Sequence, residues 1–202
     1  MTEREMADQT TQERGPGRPR EPEVDARILS AAFQLMARSG YVRMSMDAVA
    51  LEAGVTKPTI YRRYPGKLQL ALAAIAACCG AHSSAPAGST REALITEIGR
   101  VRRALGQPHA LSLIGTMLAE ERETPELLAS FRDQQLAPRR RAVQAILDRA
   151  GERGEFRPGA DLHVAGAMLL GACFAQGLAG GPLPADWVER VVDAALAGLA
   201  AA

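Results

Sequence analysis

Apolar residues recur along this chain at three- and four-residue steps in segment after segment, and no run alternates apolar with polar residues for long enough to make a strand. The first segment predicts a helix over 22–39, with Ile28, Ala32, Leu35 and Met36 as its stripe and Gly40 as its end. Behind Ser45, a good N-cap, Met46, Val49, Ala50 and Ala53 describe a short amphipathic helix that Gly54 stops. Thr56 is placed to cap a third helix, Pro58 fits its first turn, and Ile60 points back toward the core. Lys67 opens a fourth helix through Leu68, Leu72, Ile75 and Ala76, ahead of a loop over 80–88. A fifth spans 90–105 with Leu94, Ile98, Val101 and Leu105 on one face.

The sixth helix, over 110–122, is apolar on two sides: Leu111, Ile114 and Leu118 on one, Leu113 and Met117 on another. That predicts a central position. Thr124 and Pro125 start a seventh, carrying Leu127, Leu128, Phe131, Leu136, Val143, Ile146 and Leu147, which Pro138 must kink or break. After a loop over 151–159, two strongly apolar helices over 161–178 and 185–199 complete an all-α fold of about nine helices. With Leu169, Cys173, Val188, Val191 and Leu196 among them, their apolar residues exceed what a terminal hairpin buries alone, so two such hairpins from different subunits are expected to form a four-helix dimer interface, the alternative being that both helices cap the protomer's own core.

The Gly-Val-Thr turn between the second and third patterns makes a helix-turn-helix, whose second helix suits the major groove of DNA. Thr59, Tyr61 and Arg62 are the candidates for groove contacts, and Ser45, Thr56, Lys57, Tyr64 and Lys67 for phosphate positioning. From Arg38 to Lys67 six cations (Arg38, Arg43, Lys57, Arg62, Arg63, Lys67) face two anions (Asp47, Glu52), net +4 in a chain of net charge +1. Attraction to a polyanion is therefore concentrated in this segment.

The run Gly40-Tyr41, Ser45-Met46-Asp47, Val49-Ala50, Ala53-Gly54-Val55-Thr56-Lys57, Thr59-Ile60-Tyr61 and Tyr64-Pro65-Gly66-Lys67-Leu68 resembles the tetracycline-repressor (TetR) family of bacterial transcriptional regulators. The resemblance covers residues 21–77. It implies an all-helical homodimer with a three-helix DNA-reading domain over 21–66 and a larger helical domain over 67–202 that binds a small effector and dimerises. It also implies that Thr59, Tyr61 and Tyr64 lie on the recognition helix, with Tyr61 and Lys67 at phosphate-contacting positions. Arg63-Tyr64 stands where the family often has His-Phe, keeping an aromatic plug and adding a charge.

The expected function is a repressor that binds a palindromic double-stranded operator as a homodimer and is released by a small molecule; the alternative is a DNA-binding regulator without an effector. In the larger domain, Met117, Phe131, Met168 and Phe174 are candidate linings of a largely apolar effector pocket, with Gln134 and Gln135 as its polar groups. The fourth helix, with one end by the DNA and its body in the next domain, is the expected mechanical link.

Composition narrows the alternatives. Hydrophobic residues make up 47% of the 202 and aromatics only 4%, which suits close-packed helices. His82, His109 and His163 are scattered, no catalytic or nucleotide-binding motif is present, and neither an enzyme, a cofactor nor a metal is expected. Cys78, Cys79 and Cys173 form no CxxC pair or disulfide framework. Residues 1–13 lack the apolar stretch of a secretory signal, and the longest apolar runs, 70–79 and 165–175, fall short of the ~20 residues of a membrane span, so a cytoplasmic protein with no membrane partner is expected. Arg139-Arg140-Arg141 reads as a solvated face or a second basic surface. Residues 1–20 read as a disordered arm, in which Gly15-Pro16-Gly17-Arg18-Pro19-Arg20 resembles an AT-hook core; Arg18 and Arg20 either enter the minor groove or belong to a solvated tail.

Overall fold

The computed structural model describes residues 22–79 and 88–200. Among them every regular element is helical: α1 (Pro22–Arg43), α2 (Met46–Ala53), α3 (Lys57–Tyr61), α4 (Lys67–Cys79), α5 (Thr90–Leu105), α6 (Ala110–Ala119), α7 (Pro125–Phe131), a π-helical turn (Arg132–Leu136), α8 (Ala137–Glu152), α9 (Leu162–Ala179) and α10 (Trp187–Leu199). With α7, the π turn and α8 taken as one interrupted helix, nine helices result among the described residues, as the periodicity predicts. The arm with Arg18 and Arg20 and most of the loop after α4 lie outside the described residues.

The breaks fall where backbone chemistry puts them. Gly40 interrupts α1 with φ 84° and ψ 162°, a conformation that side-chain-bearing residues avoid, and one more helical turn through Arg43 follows. Ser45 caps α2 by accepting from the Ala48 N–H at 3.1 Å. At its other end Gly54 is left-handed (φ 62°, ψ 41°), with Val55 N–H donating to the Ala50 carbonyl and Gly54 N–H to that of Leu51, a Schellman closure. Pro138 acts upstream of itself. A proline at the second position of α8 donates no N–H to the preceding turn, and the chain responds with the wide π turn ending at Leu136.

Three expectations change. α6 stops at Ala119 rather than residue 122, and its two apolar sides differ, Leu113 and Met117 being buried while Leu111 and Ile114 are half-buried and Leu118 is exposed. Thr56 and Thr124 flank α3 and α7 as expected, but neither side chain accepts a capping hydrogen bond.

Apolar packing forms two cores. The first joins α1–α4 to α6 and α7 through Ile28, Met36, Ile60, Ile75, Met117 and Leu127. The second joins α5, α8, α9 and α10 through Leu94, Ile98, Leu147, Leu169 and Val192. Packing thus crosses the 66/67 boundary, since α6 and α7 share the core of the helix-turn-helix. α9 alone among the described helices is long and apolar enough to cross a membrane (18 residues, mean hydropathy 1.5), and only 22% of it is buried.

Candidate nucleic-acid interface and effector cavity

Ile60, fully buried, anchors α3 in the first core, and the neighbouring positions on this five-residue helix face outward. Thr56, Lys57, Tyr61 and Arg62 are exposed, while Thr59 and Tyr64 are half-buried. Two contacts hold the motif to α1, Arg38 to Glu52 at 3.0 Å and Arg27 to the Gly54 carbonyl at 3.3 Å, and a third, Lys57 to Asp47 at 2.9 Å, ties its two helices together. The Asp47 hydrogen bond holds the Lys57 ammonium above the usual lysine range. Thr56 and Thr59 share a hydroxyl hydrogen bond of 2.9 Å, which orients both side chains. The cap uses only the Ser45 oxygen as acceptor, so the hydroxyl proton is not spent on it.

The +4 of this segment is not all presented to solvent. Arg63 Nε lies 2.8 Å from Asp25 Oδ1, an approach without hydrogen-bond alignment, with the arginine side chain only 9% exposed; its Nη1 also donates to the Thr59 carbonyl at 3.3 Å. Arg63 therefore ties α3 to the start of α1. Arg43 and Arg62 are the exposed cations of the segment with no ion pair among the described residues.

Lys67 has a double role. Its Nζ donates to the Val42 carbonyl at 2.8 Å and sits 4.4 Å above the Tyr41 ring, so it closes the kinked end of α1 while standing at the α4 N-terminus. Burial lowers its pKa, against an opposing pull from Glu120. Burial first, then Glu126 and Glu120, raise the pKa of Tyr41. Glu120, just past α6, accepts from the Val42 N–H at 3.4 Å, and its Oε2 is buried without a hydrogen-bond partner. A Cβ on Gly40 would come within 2.5 Å of Glu120 Oε1, so glycine is what lets this carboxylate approach. Sequence reasoning missed Glu120, because only the packing of α6 on α1 gives it a role.

Behind this junction lies a narrow apolar cavity of about 40 Å³ between α1 and α4–α9. Met117, Phe131 and Phe174 line it, with Phe33, Ile75 and Leu136. The other pocket candidates do not. Met168 is 65% exposed on the outer side of α9, and Gln134 is exposed. Gln135 is buried but turned to Arg139, whose Nη1 donates to the Gln135 carbonyl at 2.8 Å and reaches its Oε1 at 3.4 Å. Arg139 is itself buried on the cavity wall, so only Arg140 and Arg141 of the arginine triplet form the expected solvated face. Phe33 and Cys78 also border a wider groove of about 730 Å³ between α1, α4 and residues 107–109.

The interface candidates are corrected by burial. Leu169, Cys173 and Val188 face the protomer's own second core, and Val191 and Leu196 pack partly against it. Burial pushes the Cys173 thiol up to about 11, which leaves it an inert core group. The apolar residues that α9 turns outward are Val164, Met168 and Leu178.

Comparison with known proteins completes the picture. The family model described as bacterial regulatory proteins, tetR family, matches residues 28–74, and that of the tetracyclin repressor-like C-terminal domain matches residues 85–195. An HTH-type transcriptional regulator of Mycobacterium tuberculosis is 32% identical over 191 residues, covering 94% of this chain and 91% of that protein. The DNA-binding transcriptional repressor TetR of Mycobacteroides abscessus is 36% identical over 177 residues, 83% of this chain and 89% of that one. Among solved structures, MexZ of Pseudomonas aeruginosa, described as a key repressor responsible for antibiotic resistance, shares the fold at a TM-score of 0.71 with 21% identity, covering 90% of this chain and 96% of its own. FadR of Bacillus subtilis, solved in complex with stearoyl-CoA, does so at 0.67 with 21% identity, covering 86% and 98%. With both halves of the chain matched and relatives similar along nearly their whole length, the chain belongs to the TetR family of DNA-binding transcriptional regulators.

Proposed function

We propose that this chain is a cytoplasmic, ligand-responsive repressor that binds a palindromic operator as a homodimer and is released by a largely apolar small molecule. The observation that carries the effector half is the cavity, built from apolar side chains of both cores and set behind the helix whose first residue, Lys67, faces the reading head. About 40 Å³ is far smaller than the 300–1,000 Å³ of ordinary ligand sites. A ligand that enters must part α4 and α6 from α5 and α9. It then favours a conformation other than this one, and by linkage it weakens operator binding by the factor by which operator weakens its own.

Thr59, Tyr61 and Arg62 read the groove in this proposal, while Ser45, Thr56, Lys57, Tyr64 and Lys67 hold phosphates. The outer face of α9 supplies the dimer contact, because Val164, Met168 and Leu178 leave an apolar surface that a second copy covers, and exposed Ala167, Gly171 and Ala175 between them allow close helix approach. The repressor named in Mycobacteroides abscessus and the acyl-CoA complex of the FadR neighbour agree with the repressor and effector halves respectively.

Selection of bound fragments from genomic DNA, followed by gel-shift titration, tests the first half: the bound sites contain inverted repeats with half-sites about one DNA turn apart. Bound fragments without a repeat would defeat it. Thermal shift with apolar small molecules tests the second, and a protein that binds its operator yet responds to none of them is a regulator without an effector.

A further inference from the structure

The arginines of α5 divide into two kinds. Arg91 pairs with Asp193 at 2.6 Å and Arg100 with Glu97 at 2.8 Å. Arg102 and Arg103, in the last turn, are exposed and pair with no carboxylate among the described residues, and no acidic residue stands three or four positions from either. Cations in a last turn also answer the helix dipole, but that role requires no groove. These two border one.

The groove, of about 480 Å³, lies between the end of α5, the start of α6 and the connection from α9 to α10, and its volume falls in the ~300–1,000 Å³ range of small-molecule sites. Glycine makes part of its wall, since a Cβ on Gly177 would come within 3.2 Å of Leu111. Trp187, the single tryptophan of the chain, lines it half-buried, and Gln107 and Gln176 add polar groups. Arg102 also acts electrostatically on the Cys173 thiol in the same wall, while Arg103 lies back along α5 in the space that Gly99 leaves. No acidic residue lines the groove among the described residues.

A cleft lined by charge of one sign gathers ligands of the other. Two guanidiniums without a counter-charge match a dianion better than a monoanion; a phosphate monoester carries about −1.5 to −2 near pH 7, and its oxygens fit the arginine fork. A bare phosphate would leave most of the groove empty, and the indole of Trp187 offers a flat face to a second ring. We infer that this groove binds an aromatic phosphate of the nucleotide class, with the phosphate on Arg102 and Arg103 and the ring against Trp187. Leu105 stands between this groove and the apolar cavity, so the site holds whether or not an effector enters that cavity.

The test titrates the full-length protein with AMP and ADP, and with adenosine and inorganic phosphate as the two halves of the ligand. Calorimetry gives the affinity, and Trp187 emission, excited selectively, gives the place. AMP or ADP is expected to alter that emission and to bind about tenfold or more tightly than either half, equivalent to at least ~1.4 kcal/mol. Arg102→Gln is expected to weaken binding about tenfold, Arg102→Gln together with Arg103→Gln to bring the nucleotide within about threefold of adenosine, and Arg140→Gln, an exposed arginine on α8, to change nothing; far-UV circular dichroism checks that the helices of each variant are intact. No binding of either nucleotide, adenosine or inorganic phosphate binding as tightly as AMP and ADP, or a preference that survives the double change would each overturn the assignment. All of these outcomes leave the effector reading of the cavity untouched, because that is tested with apolar molecules.

Discussion

The helix-turn-helix and the C-terminal α9–α10 hairpin are both held by apolar helix faces, yet a sequence pattern orients them unequally. In the first, each apolar position at helical spacing has one place to go: Met46, Val49, Ala53 and Ile60 turn into a single core, and the polar residues between them turn out. In the hairpin, α9 is apolar nearly all round. Leu169 and Cys173 serve the protomer while Val164, Met168 and Leu178 face outward. Periodicity finds a face when there is one face to find. Two apolar faces look alike until the neighbouring helices choose between them.

The largest expected effect separates those two faces. Leu169→Ala, at a site 1% exposed, should cost about 2–5 kcal/mol of unfolding free energy by denaturant titration, whether or not the protein is dimeric. Met168→Glu should leave the protomer fold intact by circular dichroism but weaken self-association on the order of a hundredfold by sedimentation, because it places a charge in the apolar contact. If Met168→Glu remained as tight a dimer as the parent, the outward face would not be the interface.

At the reading head, Gly40→Ala should cost about 1–3 kcal/mol, from a backbone conformation alanine rarely adopts and from the approach of Glu120. A smaller loss comes from Lys67→Ala, which should weaken binding about tenfold on all sequences alike and lower the salt slope by about one unit, whereas Thr59→Ala should blur sequence preference instead. Gel-shift titrations over a range of salt distinguish the two. Because Lys67 also closes the α1 kink, the melting temperature of its variant should fall as well.

The smallest effect concerns the edge of the second core. Thr90 and Arg153 hold the Glu155 carboxylate below its ordinary 4.5, and Ser89 does the same for Glu92. A depressed carboxylate stabilises the fold above its unfolded value, and that contribution fades as pH falls through the lower folded value. The gap in melting temperature between the parent and Glu155→Gln should therefore be widest above about pH 5 and close toward pH 3. A gap that did not narrow would assign Glu155 a purely steric role.

Nearly all helices, the Ser45 and Gly54 signals and the effect of Pro138 were legible in the sequence, because caps, glycine turns and proline act over a few residues. Arg63 was not, since a charge count cannot see that Asp25, 38 positions earlier, lies beside it. Nor was Arg139: three consecutive arginines look solvated, but on a helix they point about 100° apart, and the π turn decides which one is inside. Glu120 likewise gains its role only when α6 crosses the break in α1. What escaped was long-range pairing, the part of the fold that local pattern does not encode.

The shared core of α1–α4 with α6 and α7 bears on how this regulator is rewired. A chimera that grafts residues 22–66 onto a foreign body would deprive Ile28, Met36 and Ile60 of the core they share with Leu113, Met117 and Leu127 and offer a greasy, mismatched seam. Swapping operator preference with stability retained calls instead for transplanting the few outward side chains of α3, leaving the scaffold beneath them untouched.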